Sequence, residues 1–285
     1  VMKKLAGLFL VMMGIFVLAV SAGLNVLGWI NPIESKAQQQ SIAYEEAETI
    51  EFDVKSQDIT IIRHDKDTVD IQSNGQDNID VSTTNDNVVI RQDNTSWLSL
   101  LFFETSSEWE VKIPASFSGE LKANGGSSDI NVDNGNETIR SLQIIVASGD
   151  VDIRHMAVDD LELSAKSGDF SITDVSSNQS SVETISGDME IDQFKGPLTA
   201  TLTSGGIDAS FEKFEESTIE VTSGDVDVSV GEADIRLDCS VVSGDISNEL
   251  TLDSVEQTQR HLSGVKGSGS DDLIIETVSG DINIR

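Results

Sequence analysis

From about residue 45 to the C-terminus, apolar side chains recur at every second position in short runs. Six, four and two residues before a recurrent serine stand Leu142, Ile144 and Val146; Leu161, Leu163 and Ala165; Leu198, Ala200 and Leu202; and Leu273, Ile275 and Thr277. Three and five residues after it stand Val151 and Ile153; Phe170 and Ile172; Val226 and Val228; and Ile282 and Ile284. An early copy places Ile50, Phe52 and Val54 before Ser56, and Ile59 and Ile61 after it. A spacing of two is the strand period. The inward set is even up to the serine and odd beyond it. Because a one-residue slip turns every side chain to the other face, a corner or bulge must separate the two strands of each unit.

The corner has a motif. Ser-Gly-Asp or a near variant begins at Ser127, Ser148, Ser167, Ser186, Ser204, Ser223, Ser243 and Ser279, at intervals of 21, 19, 19, 18, 19, 20 and 36. The last gap spans about two units and holds the weak copy Leu262-Ser263-Gly264-Val265. Gly149, Gly168, Gly187, Gly205, Gly224, Gly244 and Gly280 are the turn glycines, able to adopt backbone angles closed to other residues. Asp129, Asp150, Asp169, Asp188, Asp225, Asp245 and Asp281 follow in the same column, where an aspartate can bond its own backbone in a turn. Units of about 19 residues with two short strands cannot bury a core alone and must stack. The predicted fold is all-β: a parallel β-solenoid, or β-helix, of roughly a dozen coils about 4.8 Å apart. An antiparallel sandwich also spaces strands at 8–12 residues, but it does not require the same columns and corner in every unit.

The amino end is different. Leu5 to Ile30 is a 26-residue run without a charge, long enough for a transmembrane helix, which needs about 20 apolar residues. Lys3 and Lys4 precede it and Glu34 follows, so the positive-inside rule keeps the N-terminus cytoplasmic and the C-terminal domain extracellular. The competing reading is a cleaved signal peptide with a small-residue site at Val20-Ser21-Ala22. The apolar run continues through Leu24, Val26, Leu27, Trp29 and Ile30, which favours the uncleaved anchor. The expected organisation is a signal-anchor over 1–32, a tether over 33–44 and the solenoid over 45–285. An irregular apolar insertion over 95–118 interrupts the solenoid. Within it, Trp97, Leu100, Leu101, Phe102 and Phe103 are candidates for partner binding, against the plainer alternative of a segment folded over the solenoid. Trp109-Glu110-Val111-Lys112-Ile113-Pro114 follows as an alternating strand stopped by proline.

An uncharged N-terminal run, a strand ending in Lys112-Ile113-Pro114 and serial Ser-Gly-Asp-Val/Ile units together resemble the bacterial putative-adhesin domain family, over most of residues 45–285. That family includes LiaG-like membrane-anchored envelope proteins connected with envelope stress. The resemblance implies a β-solenoid displayed on the surface of a Gram-positive-type cell, with no catalytic residues to carry over. Gly206 in place of aspartate and the degenerate unit at Ser263 depart from the motif.

Charge narrows the partners. The chain has 50 Asp plus Glu against 18 Lys plus Arg, for a formal net charge of −32, and residues 33–285 carry −34. An electrostatic grip on nucleic acid is thereby excluded, since it needs clustered Lys and Arg. Direct adsorption to anionic lipid is disfavoured. One cysteine, Cys239, permits no internal disulfide, and its place in an inward column marks it as a small core residue. The aspartate column admits two readings. One is hydrogen bonding at each corner. The other is a ladder of Ca²⁺ sites, since Ca²⁺ takes six to eight oxygens, although the Gly-Gly-x-Gly-x-Asp nonapeptide of calcium solenoids is absent. His64, His155 and His261 are isolated, and Ser-Gly-Asp is not the Gly-x-Ser-x-Gly elbow. No cofactor and no catalysis are expected. The functional expectation is a structural or interaction component of the envelope; alternatives are an adhesin-like module for a surface polymer or protein and a polysaccharide-acting enzyme.

Overall fold

The computed structural model describes residues 38–44, 47–75, 78–84, 86–93 and 107–285. The chain divides into two compact units, Val1–Lys36 and Ala37–Arg285, and every described residue belongs to the second. The expected membrane span and the Trp97–Phe103 run lie outside the described residues. Among those described, no helix is long and apolar enough to cross a membrane.

The described residues form strands throughout, and most neighbours pair parallel and in register. Along the face preceding the corner the order is β6 (Asn87–Asp93), β2 (Thr49–Val54), β8 (Glu120–Ser127), β10 (Thr138–Ser148), then the C-terminal parts of β11 (Val151–Ser167) and β12 (Phe170–Ser186). It continues with β14 (Thr199–Ser204), β16 (Ser217–Ser223), β22 (Asp271–Ser279) and β18 (Ile235–Ser243). The face after the corner runs β7 (Glu108–Pro114), β3 (Asp58–His64), β9 (Ile130–Asp133), the start of β11, and the start of β12. Then come β13 (Met189–Gly196), β15 (Ile207–Phe214), β17 (Val226–Ser229), β23 (Ile282–Ile284) and β19 (Ile246–Asn248). Both faces therefore hold ten parallel strands among the described residues, where the sequence suggested roughly a dozen coils.

The inward columns read from the sequence form the core. Ile50, Phe52, Ile59, Leu142, Ile144, Ile153, Ile172, Ala200, Val226, Leu273, Ile275 and Ile282 are all fully buried. One long strand shows the coil's plan. In β11 the buried residues are Val151 and Ile153, then Met156 and Val158, then Leu161, Leu163 and Ala165. The parity changes between Ile153 and Met156, and likewise in β12 and β13, so these coils have a second corner and a short third side, which the two-strand reading lacked. His155, Asp174 and Gln193 occupy that corner with φ near +50° to +55°.

Two expected boundaries change. Residues 38–43, assigned to the tether, form β1 (Gln38–Ala43), which pairs antiparallel with β4 (Thr68–Ser73). The insertion expected over 95–118 contains β7, a regular strand between β3 and β4. Alternation of Trp109, Val111 and Ile113, all fully buried, is strong enough to hold it in the stack.

At both ends the spatial order departs from the chain order. At the N-terminal end β2 and β3 do not face solvent; β6 and β7, later in the chain, lie outside them. Antiparallel strands then continue both faces: β5 (Asn78–Thr84) on β6, and β4 and β1 beyond β7. At the other end the final coil, β22 and β23, lies between β16/β17 and β18/β19. An antiparallel hairpin of β20 (Asp253–Gln257) and β21 (His261–Lys266) then covers β18. The motif ending at Arg285 thus does not form an open end, because its coil is interior. Tucking both terminal coils inward leaves antiparallel strands beyond β6, β7 and β18, which blunts those edges of the parallel stack, while β19 pairs with β23 alone among the described residues.

Candidate functional site

Three bonds per coil build the corner. Gly149, Gly168, Gly187 and Gly205 donate N–H to the serine carbonyl of the next coil at 3.0–3.1 Å. The residue after each aspartate donates to the next aspartate's carbonyl, as Val151 does to Asp169 at 2.9 Å. Each aspartate in turn accepts, through Oδ1, the N–H of the equivalent residue one coil on. Asp58 serves Asp129 at 3.1 Å, Asp129 serves Asp150 at 2.9 Å, Asp150 serves Asp169 at 2.9 Å, Asp169 serves Asp188 at 2.8 Å and Asp188 serves Gly206 at 2.7 Å. Gly206 has no side chain to pass the bond on. A second ladder starts at Asp225, which serves Asp281 at 2.8 Å, and Asp281 serves Asp245 at 2.9 Å. The sequence suggested that each carboxylate closes its own turn. Instead it spans two coils, and the order is that of the stack, not of the chain.

The seven corner glycines, Gly149, Gly168, Gly187, Gly205, Gly224, Gly244 and Gly280, have φ between +133° and +150°. A Cβ on any of them would overlap the backbone of the coil beneath. Close coil spacing and backbone angle thus both require glycine here.

Beside the first ladder runs an open groove of about 500 Å³, lined by Asp129, Asn131, Asp150, Asp152, Asp169, Ser171, Asp188 and Glu190. Its lining is rich in carboxylates, yet Oδ1 of Asp129, Asp150, Asp169 and Asp188 already receives a backbone N–H, while Asp152 Oδ1 is buried without a partner. Among the described residues, no three His, Cys, Asp or Glu side chains converge as a metal site. The short third side places Lys195 in register with Lys213, each paired with acids. Lys195 bonds Glu212 at 3.0 Å and Asp174 at 3.1 Å, which together raise its pKa.

The histidines are dispersed. Nε2 of His64 lies 2.6 Å from the Thr68 carbonyl, His155 pairs with Asp133 at 3.2 Å, and His261 lies 3.5 Å from Asp238. Cys239 is fully buried, and burial, with Asp238 beside it, pushes its thiol up to about 12. It is an inert core side chain, not a nucleophile. Trp97, Leu100, Leu101, Phe102 and Phe103 lie outside the described residues.

Two clusters at the N-terminal end escaped the sequence reading. Arg63 donates to Asn134 Oδ1 at 2.7 Å and to the carbonyls of Pro114 and Phe117 at 2.6 and 2.8 Å. Burial lowers its pKa to about 10, so it stays charged at neutral pH. Asp70 accepts from Ser41 at 2.5 Å, Thr68 at 2.8 Å and Lys66 at 3.1 Å, which holds its carboxyl down at about 2. The first bond ties β1 to β4. Neither cluster has a motif: Arg63 gathers partners 51 to 71 residues away, and Asp70 adds the distant Ser41 to the local Lys66 and Thr68. The second corner did leave a signal: apolar positions step by three, from Ile153 to Met156, Ile172 to Val175 and Ile191 to Phe194.

Residues 47–285 match the family model described as Toastrack DUF4097. No curated protein matches. Among solved structures, the chain is similar to a putative adhesin from Parabacteroides distasonis at 10% identity and a TM-score of 0.48, covering 88% of this chain and 98% of that one. A putative adhesin from Bacteroides fragilis gives 13% identity and a TM-score of 0.39, over 88% and 97%. A putative lipid binding protein, also from P. distasonis, gives 10% identity and a TM-score of 0.27, over 88% and 97%.

Proposed function

This chain belongs to the Toastrack DUF4097 family, and on that premise we propose that it is a non-catalytic scaffold of the cell envelope. In this reading a single-pass, N-in helix anchors an extracytoplasmic β-solenoid to the cell membrane. The solenoid acts as a structural or interaction component, linked to the envelope-stress response. One observation carries the scaffold role: one carboxylate oxygen of each rung aspartate is spent on an inter-coil bond, from Asp58 through Asp188 to Gly206 and from Asp225 to Asp245. A motif that recurs to hold coils together marks a rigid spacer, not a reaction centre. The uncharged run after Lys3 and Lys4 supports the anchor and its orientation.

A second reading, an adhesin-like module for a surface polymer or protein, is favoured by the acidic groove of about 500 Å³ along the first ladder. Repeating side chains at the coil spacing suit a partner that itself repeats. Crosslinking in intact cells, followed by identification of captured partners, tests both. Envelope proteins among the captured species support the scaffold; a captured cell-wall polymer supports the adhesin. External protease that fails to degrade the C-terminal domain in intact protoplasts, yet degrades it after lysis, overturns the topology.

A further inference from the structure

The last coil is out of sequence order, and the chain is continuous without it. From β17 the backbone passes through residues 230–234 straight to β18, skipping one coil position. Two coil steps are about 10 Å, and five residues reach that easily. The chain then makes β19 and the β20–β21 hairpin before β22 and β23 enter the skipped position. Remove them, and the rest of the stack retains a slot bounded on both sides by parallel strand edges.

That slot is specific for its occupant. Leu273, Ile275, Ile282 and Ile284 enter the core and are at most 1% exposed. Gly224 donates to the Ser279 carbonyl at 2.8 Å on one side, and Gly280 donates to the Ser243 carbonyl at 3.0 Å on the other. Asp281 takes the Asp225 carboxylate and gives its own to Asp245. Arg285 donates its N–H to the Val228 carbonyl at 2.8 Å, and its guanidinium bonds Asp227 at 2.6 Å. At Gly280 a Cβ would overlap the Gly224 carbonyl, so the slot reads glycine at that position. The segment is joined to β21 by Gly267 and Gly269, with φ of +65° and +63°, in a turn whose Gly267, Ser268 and Ser270 are exposed and whose Gly269 is buried; Ser268 and Ser270 tie it to Asp234 at 2.8 and 3.1 Å.

We propose that the space between β16/β17 and β18/β19 is a strand-accepting site, and that its second partner is the C-terminal coil of another copy of this chain. Exchanging the coil recreates all of these bonds between two molecules, so the equilibrium is set by concentration and by the hinge at Gly267–Ser270. Exchange of an identical element is a low-cost route to a dimer. In the slot an entering strand is bonded on both sides, which distinguishes it from simple edge pairing.

The test uses the full chain with a protease site placed between Gly267 and Ser270. After cutting, the fragment 268–285 should stay bound through gel filtration. A fluorescent synthetic peptide of residues 268–285 should then replace it one to one, below the denaturant concentration that unfolds the nicked protein. The same peptide carrying Gly280→Val should compete about 100-fold less well. Uncut chains bearing two different tags, incubated together at high concentration, should yield dimers holding both tags. Failure of the peptide to enter while the nicked protein keeps its native circular dichroism overturns the slot. Equal entry of the Gly280→Val peptide overturns its specificity. Peptide entry without mixed-tag dimers overturns the second copy as partner.

Discussion

At Gly168 the backbone turns with φ of +141°, and a methyl group there would overlap the carbonyl oxygen of Gly149. Gly135 also has positive φ, +61°, but nothing lies near its missing Cβ. Gly135→Ala should therefore cost only the left-handed backbone penalty, about 1–2 kcal/mol. Gly168→Ala adds a backbone collision and should cost ~3 kcal/mol or more. Urea denaturation of the two variants makes the comparison, and equal losses would show that coil spacing is not the constraint. Asp70 titrates into stability in the opposite sense to a histidine whose pKa a carboxylate partner raises. Its hydrogen bonds from Ser41, Thr68 and Lys66 lower the folded pKa to about 2, below the unfolded value near 4. Its contribution is thus complete above pH 4 and is lost as pH falls through about 2. Asp70→Asn should lower stability at pH 7 by about 1–3 kcal/mol and flatten the loss between pH 4 and pH 2. Thermal melts across that range check the slope. The corner glycines were legible because they repeat. Asp70 was not, because Ser41 lies 29 residues away and no period links them.

Between neighbouring coils, the repeating aspartate is a tie and not a turn-closer. Asp169→Asn keeps an Oδ1 acceptor for the Asp188 N–H and should be close to neutral. Asp169→Ala leaves that N–H without its partner and should cost about 1–2 kcal/mol. Calorimetric melting should separate the two, and indistinguishable variants would remove the ladder's structural role. The missing rung gives the converse experiment. Gly206 is open at its Cβ position, with the Asp225 carbonyl at 3.6 Å and Asp188 Oδ1 at 3.8 Å, and its φ is not positive. Gly206→Asn should supply the Asp225 N–H with an acceptor and restrict the unfolded chain, raising stability by about 1 kcal/mol. The aspartate column itself could be read from spacing. Which N–H each carboxylate takes could not, because donors in the same coil and in the next are equivalent until the coils are stacked. The second corner at His155, Asp174 and Gln193 was hidden further, since it uses three different residues and no glycine.

For the whole stack, a unit is removable only where chain order and spatial order agree. Ser167 stands in register with Ser186, so deleting residues 168–186 rejoins Ser167 to Gly187 and restores the motif. That shortened protein should fold with a single cooperative melt. Deleting residues 268–285 removes nearly the same length but takes out an interior coil, and should lower the melting temperature far more. A milder effect of the C-terminal deletion would contradict the interior position. Net charge acts at this scale too: with −32 on the chain, self-repulsion is screened by salt, so melting temperature should rise between 20 and 500 mM NaCl, to be measured in the same instrument. The sequence alone determined the strands, their inward faces and the corner, because alternation, glycine and the 19-residue interval are local and repeat. It also determined which residues share a column, since parallel in-register pairing aligns identical positions. Only the tertiary structure decided the order in which the coils lie. Nothing local distinguishes a coil that follows its predecessor from one that returns to fill a gap: both present the same columns, and the choice rests on which edges remain unpaired once the rest has folded.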